Sequence, residues 1–355
     1  MRSAEGQRGV AARPRAQSAG PVRASVIVTT YNRCAALRQT LEALSVQTLA
    51  PTDYEVLVVD NGSTDDTRAW LAEFSPPYGL RSFRFAENQG IGAARNRAIR
   101  EAAGDTLVLL SDDVLTPENF LETHLETLRR FPGHWVVGHS EQWDGLNEVS
   151  FGRFLSELEA GFAQTWQSDE AAPGIWRTEW PTARNLALPR ADLERIGVFD
   201  EQFRNACEDQ DLAYRARLEL GTRFLYHTQM GCIHNDQAAD LERYCEAQRR
   251  GAADTVRFCH KYEQWYAENG PVPLMSANGP VTRQDSPAVA LRKAFKAVLA
   301  LPPAVTALRV LTRACERVGL PDRALARLYR LSIAVAIYRG WRQGLRLTGV
   351  PERKA

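Results

Sequence analysis

The run Leu107-Val108-Leu109-Leu110, followed at once by Ser111-Asp112-Asp113, restricts this chain more than any other stretch. Four consecutive apolar residues between Gly104-Asp105 and Thr116-Pro117 read as a short strand buried on both faces of a sheet. Strands of that kind belong to mostly parallel α/β sheets, where the ligand crevice lies outside the carboxyl ends of the strands. Two adjacent carboxylates at such an exit repel each other and resist desolvation, and a hard divalent cation with oxygen ligands offsets both costs. Mg2+ or Mn2+ on a diphosphate fits this pattern. The plainer reading is that Asp112 and Asp113 only begin a turn before a helix opening near Thr116-Pro117-Glu118.

With 355 residues there is material for one large α/β domain and an appendage. The formal net charge of +1 gives no reason to expect nucleic acid as a partner. Six cysteines are scattered without a C-x-x-C pair, which points to reduced thiols and a cytoplasmic location rather than a disulfide frame or zinc ribbon. Residues 1–23, rich in Arg, Ala, Gly and Gln, are expected to be a disordered basic tail. A transit peptide is the sharper alternative, and the tail lacks the amphipathic periodicity of one.

From Ala24 the chain alternates strands and helices. Ala24 to Thr30 is the first strand, leading into Tyr31-Asn32-Arg33 and a helix with Leu37, Leu41 and Leu44 on one face. Tyr54 to Asp60 is the second, broken at Asn61-Gly62-Ser63-Thr64-Asp65 before a helix through Trp70, Leu71 and Phe74. Arg81 to Phe85 is a third, and Asn88-Gln89-Gly90 opens a helix expected to end at Gly104. This alternation predicts βαβ units around a parallel sheet. Gly90-x-Gly92-x-x-Arg95 imitates a dinucleotide-binding fingerprint, but Arg95 replaces the third glycine and the motif follows the third strand instead of the first.

Thr29-Thr30-Tyr31-Asn32-Arg33, Val59-Asp60-Asn61-Gly62-Ser63-Thr64-Asp65, Asn88-x-Gly90 and Ser111-Asp112-Asp113, in that order, resemble the nucleotide-sugar-binding half of the family 2 glycosyltransferases. The resemblance implies a GT-A fold: a Rossmann-like, mostly parallel sheet flanked by helices, here with a C-terminal helical extension. It implies that Thr30, Tyr31, Asn32, Asp60, Asn88, Arg95 and Asp112 bind the nucleoside-diphosphate sugar and that Asp113 ligates Mg2+ or Mn2+. The family commonly shows Asp-x-Asp where this chain has Ser111-x-Asp113.

Beyond Pro132, Val136-Val137-Gly138 is expected to be a strand, and aromatics accumulate at Phe151, Phe154, Phe162, Trp166, Trp176 and Trp180. Rings of this kind either stack on sugar faces in an acceptor groove or simply fill core. Thr182 to Leu188 reads as a strand similar to the segment that borders the acceptor site in the family. Phe199-Asp200-Glu201 then leads to Glu208-Asp209-Gln210-Asp211-Leu212 at the start of a helix ending at Gly221. One acid there suffices to complement the helix dipole, so three leave at least one for chemistry. The resemblance makes Asp209 the general base of an inverting transfer. Arg223 to Tyr226 reads as an edge strand, followed by Gly231 to Asp236, where related enzymes often place a histidine at the metal or diphosphate. His234 is therefore the candidate third ligand beside the aspartates.

The expected organisation is a GT-A domain over 24–268, divided into a nucleotide-binding half at 24–113 and an acceptor half at 114–268. A linker at 269–287 and a basic amphipathic helical region at 288–355 follow. No run there reaches the ~20 apolar residues of a bilayer span. The region either lies on the inner face of an anionic membrane, suiting a lipid-linked acceptor, or packs on the protein or a second copy in a homo-oligomer. The reading is thus a metal-dependent inverting glycosyltransferase acting on a glycan or lipid-linked glycan. Its rivals are a decayed sugar- or membrane-binding relative and a sugar-1-phosphate nucleotidyltransferase, whose basic glycine-rich loop Thr30-Tyr31-Asn32-Arg33 does not match.

Overall fold

The computed structural model describes residues 22–165, 167–179, 181–236, 239–263, 281 and 285–348. Nearly all of the expected tail at 1–23 and of the linker at 269–287, together with Trp166 and Trp180, lie outside the described residues. The chain divides into two compact units. The first comprises the described residues of Met1–Gln142, Ala163–Gln202 and Leu212–Asp236; the second those of Trp143–Phe162, Phe203–Asp211 and Gln237–Ala355.

The first unit is built on one sheet. β1 (Ala24–Thr30), β2 (Tyr54–Asp60), β3 (Gly79–Arg84) and β4 (Thr106–Ser111) are parallel in the order β3-β2-β1-β4, so the chain reverses its direction of winding between β1 and β4. The Val, Ile and Leu runs of β1, β2 and β4 are buried throughout because helices cover both faces: α1 (Cys34–Ala43), α2 (Thr67–Glu73) and α3 (Ile91–Ile99) connect them. After β4 come β5 (Val114–Leu115), α4 (Phe120–Arg130) and β6 (His134–Gln142). β7 (Glu170–Ala172), β8 (Ile175–Thr178), β9 (Asn185–Pro189), α6 (Arg190–Ile196) and β10 (Arg223–His234) complete the order β4-β9-β6-β10-β8-β7. β9 runs antiparallel between β4 and β6, and β6 and β10 are parallel. The fold class is therefore as expected, parallel through the first four strands and mixed beyond them.

A buried carboxylate ties the amino ends of these strands. Glu55 accepts from Ser25 Oγ and the Ala103 N–H, both at 2.7 Å, and pairs with Arg81 at 2.9 Å. Ser25 Oγ in turn accepts from the Gly104 N–H at 2.8 Å. The chain comes so close to β1 here that a Cβ on Gly104 would lie 2.6 Å from the Ser25 nitrogen, which explains the glycine. Helix α3 itself ends five residues earlier, at Ile99.

One strand differs from expectation in kind. Arg223 to Tyr226 is not an edge strand: β10 runs twelve residues to His234, paired with β6 on one side and β8 on the other. The polar interruption His227-Thr228-Gln229 hides this continuation from a hydrophobicity pattern. It coincides with a shift of register against β6 between His227 and Cys232 and a positive φ of 68° at Gly231.

In the second unit, α5 (Ser150–Thr165) buries Phe151 and Phe154 against Leu325 and Tyr329 of the last helix. Of the aromatic candidates for sugar stacking, these two fill core, and Trp176 of the first unit packs against the sheet core. Helix α7 (Glu208–Leu220) starts in this unit, followed by α8 (Leu241–Lys261), α9 (Pro287–Leu299), α10 (Pro302–Arg317) and α11 (Asp322–Thr348). α8 and α11 meet at Gly340 and Gly344, where a Cβ would strike the backbone of Arg249 and come 2.8 Å from the Ala253 oxygen.

His124 of α4, fully buried, places Nε2 2.8 Å from Asn185 Oδ1 and leaves Nδ1 without a hydrogen-bond partner. Burial drives its imidazole down to about 4. The native state thus keeps it neutral while the unfolded chain protonates it below about 6.5, so stability drains away as pH falls from about 6.5 towards 4. The loss expected from this residue is about 3 kcal/mol, and the His124→Gln variant should show a flatter dependence when urea midpoints are measured across that range.

Candidate functional site

The register of the sheet brings the strand exits level: Thr30 lies beside Asp60 across β1 and β2, and Thr29 beside Ser111 across β1 and β4. Thr30, Asp60 and Asp112 therefore share one edge, and Thr30 and Asp112 flank the point where the winding reverses, the usual place for a ligand crevice. Thr30 Oγ1 donates to Asp112 Oδ2 at 2.7 Å.

Asp113 and His234 are 121 positions apart, yet β5, which starts at the next residue, pairs antiparallel with the end of β10, Val114 opposite His234. That short bridge sets His234 Nε2 3.3 Å from Asp113 Oδ2. His234 also lies opposite Gln142 in the β6 register, and the amide of Gln142 stands 3.0 Å from its Nδ1, fixing the ring.

Arg33 completes the group. Its Nη2 lies 2.6 Å from Asp113 Oδ2 and 3.3 Å from Asp236 Oδ1, and its Nε 3.5 Å from Asp112 Oδ1. Burial disfavours the guanidinium charge, but the three carboxylates outweigh it and raise its pKa. The two aspartates are driven apart. Burial pushes Asp112 up to about 7 against the pull of Arg33, and the charge on Asp113 adds to the rise. Burial acts on Asp113 too, but the hydrogen bond and charge of His234, with Arg33 and Arg184, overcome it and hold that carboxyl below the ordinary range. Asp113 is the anion of the pair.

The other candidates on this unit form a second cluster at the same edge. Asp60 Oδ1 accepts from the Ser63 N–H at 2.7 Å and its Oδ2 lies 3.0 Å from Arg84 Nε. Asn32, at a φ of 54°, donates its N–H to Ser63 Oγ at 2.9 Å and accepts from the Thr64 N–H at 2.7 Å. Asn88 Oδ1 accepts from Asn61 Nδ2 and from the Gly90 N–H, shaping the loop before α3. Tyr31 is exposed. Arg95 stands apart, buried on α3 with its guanidinium on the Ala183 carbonyl and over the Phe199 ring. Arg33, Asp236, Gln142 and Ser63 join the site without having been singled out. Arg33 was visible beside Asn32, whereas Gln142 and Asp236 carry no local signal.

Do these residues suit a divalent cation? Asp113 Oδ1 is buried without a hydrogen-bond partner, and Oδ2 adjoins a histidine nitrogen. Among the described residues no three His, Cys, Asp or Glu side chains form a cage. One carboxylate, one imidazole and the oxygens of a diphosphate suit Mg2+ or Mn2+, which are commonly held by one or two protein carboxylates with substrate phosphates. The donor set fits.

Asp209 belongs to the second unit, half-buried in the first turn of α7. Its neighbours divide the work there. Asp211, fully buried, accepts from Lys261 Nζ at 2.6 Å and Tyr262 Oη at 2.7 Å, and Glu208 is also buried. The preceding residue, Cys207, adopts a φ of 68°, unusual for a side-chain-bearing residue. The turn is held from α8: Asp254 Oδ2 accepts the N–H groups of Asn205 and Ala206 at 2.7 and 3.2 Å, and Cys207 Sγ lies 3.6 Å from Thr255 Oγ1.

A reversed parallel half-sheet with acids at its switch point, continued by mixed strands, is a GT-A fold. The mannosyltransferase PcManGT from Pyrobaculum calidifontis, solved in complex with GDP-Man and Mn2+, shares that fold at a TM-score of 0.59 and 20% identity, over 92% of this chain and 89% of its own. Residues 25–150 match the model for glycosyl transferase family 2. Validoxylamine A glucosyltransferase from Streptomyces hygroscopicus subsp. limoneus is 32% identical over 228 residues, 58% of this chain; the match spans half of that relative's length. The uncharacterized glycosyltransferase YfnE from Bacillus subtilis (strain 168) is 26% identical over 300 residues, 71% of this chain and 75% of its own. Over residues 25–150 the chain is thus similar to the family 2 glycosyltransferases.

Replacing Asp254 by Leu leaves two backbone donors of the turn unmet. Amide hydrogen exchange at Asn205 and Ala206 should accelerate by roughly 10-fold or more with the sheet amides unchanged, and Asp254→Asn, which keeps the acceptor oxygen, should restore most of the protection.

Proposed function

We propose that this chain transfers a sugar from a nucleoside-diphosphate donor to an acceptor hydroxyl with inversion at the anomeric carbon. The observation that carries the reading is the assembly of Thr30, Asp112, Asp113 and His234 at the switch point of the sheet, where Asp113 keeps a buried oxygen unbonded. The family match over 25–150 and the named glucosyltransferase relative support it, as does the GDP-Man and Mn2+ of the mannosyltransferase with the same fold.

Thr30, Tyr31 and Asp60 hold the nucleoside, and Asp112, its pKa raised by burial, lies against the ribose. Asp113 and His234 would hold Mg2+ or Mn2+, which supplies positive charge to the departing diphosphate. Asp209 takes the proton of the acceptor hydroxyl as its oxygen bonds to the anomeric carbon and the bond to the diphosphate breaks on the opposite side. The acceptor is a glycan or lipid-linked glycan, and the enzyme works in the cytoplasm at the inner face of the membrane.

Thermal melting against UDP-, GDP- and dTDP-sugars, with and without Mn2+, tests the reading, because a ligand bound only by the native state raises the midpoint by mass action. One nucleotide class should shift the midpoint in a metal-dependent way; no shift with any of them would refute it. Asp113→Asn should weaken Mn2+-dependent donor binding by at least ~10-fold, read by calorimetry. In Asp209→Asn, turnover should fall by at least ~100-fold with donor affinity retained, and equal loss of both would remove Asp209 from the role of base.

A further inference from the structure

Helix α9 is packed inside out. Its buried residue is Lys293, whose ammonium is locked to both oxygens of Asp285 at 2.8 and 2.9 Å. The apolar row that an amphipathic helix ordinarily turns inward, Leu291, Phe295 and Val298 at intervals of four and three, is 72%, 54% and 61% exposed. Leu301 in the turn and Val310 and Leu311 on α10 are exposed as well. Elsewhere among the described residues, exposed large apolar side chains are scattered, as they are on any soluble surface. A concentration of them marks a docking face.

The surrounding charge is strongly basic. From Pro287 to Thr348 there are twelve Lys and Arg against two acids, Glu316 and Asp322. On α10, Arg309 and Arg313 are both paired with Glu242, one carboxylate between two guanidiniums, and Arg317 is exposed. Apolar side chains bordered by cations suit an interface of hydrocarbon and anionic phosphates. Geometry sets the mode of binding. No single described helix is long and apolar enough to cross a membrane, and α9 and α10, which qualify only when taken together, are bent by 89° at their junction. Helices of 13 and 16 residues span about 20 and 24 Å, short of the ~30 Å hydrocarbon core.

We propose that α9 and α10 form a peripheral docking surface for an anionic lipid bilayer. Phe295, Leu291 and Leu311 enter the boundary between headgroups and acyl chains, and Arg313 and Arg317 engage lipid phosphates. The inference does not depend on the transfer reaction, since neither donor nor acceptor is needed to observe it.

The full chain is sedimented with vesicles of phosphatidylcholine alone and of phosphatidylcholine containing phosphatidylglycerol, at low and high salt. Binding is expected to the phosphatidylglycerol vesicles, to weaken with salt, and to be released by alkaline carbonate. Phe295→Glu with Leu311→Glu should weaken it by at least ~10-fold without shifting the melting midpoint, and Arg317→Glu should weaken it too, with the midpoint again unchanged. Absence of sedimentation with any vesicle overturns the proposal, as does equal binding to phosphatidylcholine alone. Resistance to carbonate overturns the peripheral mode. Light scattering that shows a vesicle-free dimer, dissociated by the Phe295→Glu and Leu311→Glu changes, assigns the face to a second copy of the chain and overturns it too.

Discussion

Two neighbouring carboxylates, buried at the carboxyl edge of a parallel sheet, are the interaction on which the first unit turns. Like charges cannot both stay ionised in such a place without partners, and the fold resolves the conflict unequally. Asp112 receives a hydroxyl and the longer contact to Arg33 and leans toward the neutral acid, while Asp113 receives a close guanidinium and a histidine and stays anionic. The partners come from two separate places, the β1 exit and the β5–β10 bridge. The mixed strands of the sheet thus serve the site, since the β5–β10 bridge brings His234 to an aspartate 121 residues earlier.

The second unit solves a different problem, that of holding an acid steady in a turn. Of the three acids that open α7, Asp211 is taken up by Lys261 and Tyr262, Glu208 is buried, and Asp209 is half-buried. The strained Cys207 persists because α8 meets the turn with Asp254, Thr255 and Lys261 along one face. α8 is braced in turn by α11, whose Gly340 and Gly344 let the two backbones approach closely.

The same C-terminal helices show how burial and charge can be exchanged. Lys293 is tolerated inside because Asp285 neutralises it, and the apolar row displaced from the interior faces outward. Tyr329 and Leu325 anchor α11 to Phe151 and Phe154 of α5.

By itself the sequence determined the first four strands, their order of appearance and the acids at their exits. Uninterrupted Val, Ile and Leu runs, followed by Asp60 or by Asp112 and Asp113, leave few other folds open. It also singled out His234 and the Glu208–Asp211 cluster through resemblance. It did not disclose that β10 continues through His227-Thr228-Gln229, because a bulged strand loses the hydrophobic rhythm by which strands are recognised. Nor did it separate Arg95, buried on a carbonyl, from Arg33, which bridges three carboxylates. Tertiary structure alone decided those points, along with the recruitment of Gln142, Asp236 and Asp254. Such contacts arise from pairing and packing between segments tens to hundreds of residues apart, and local composition carries no trace of the partner.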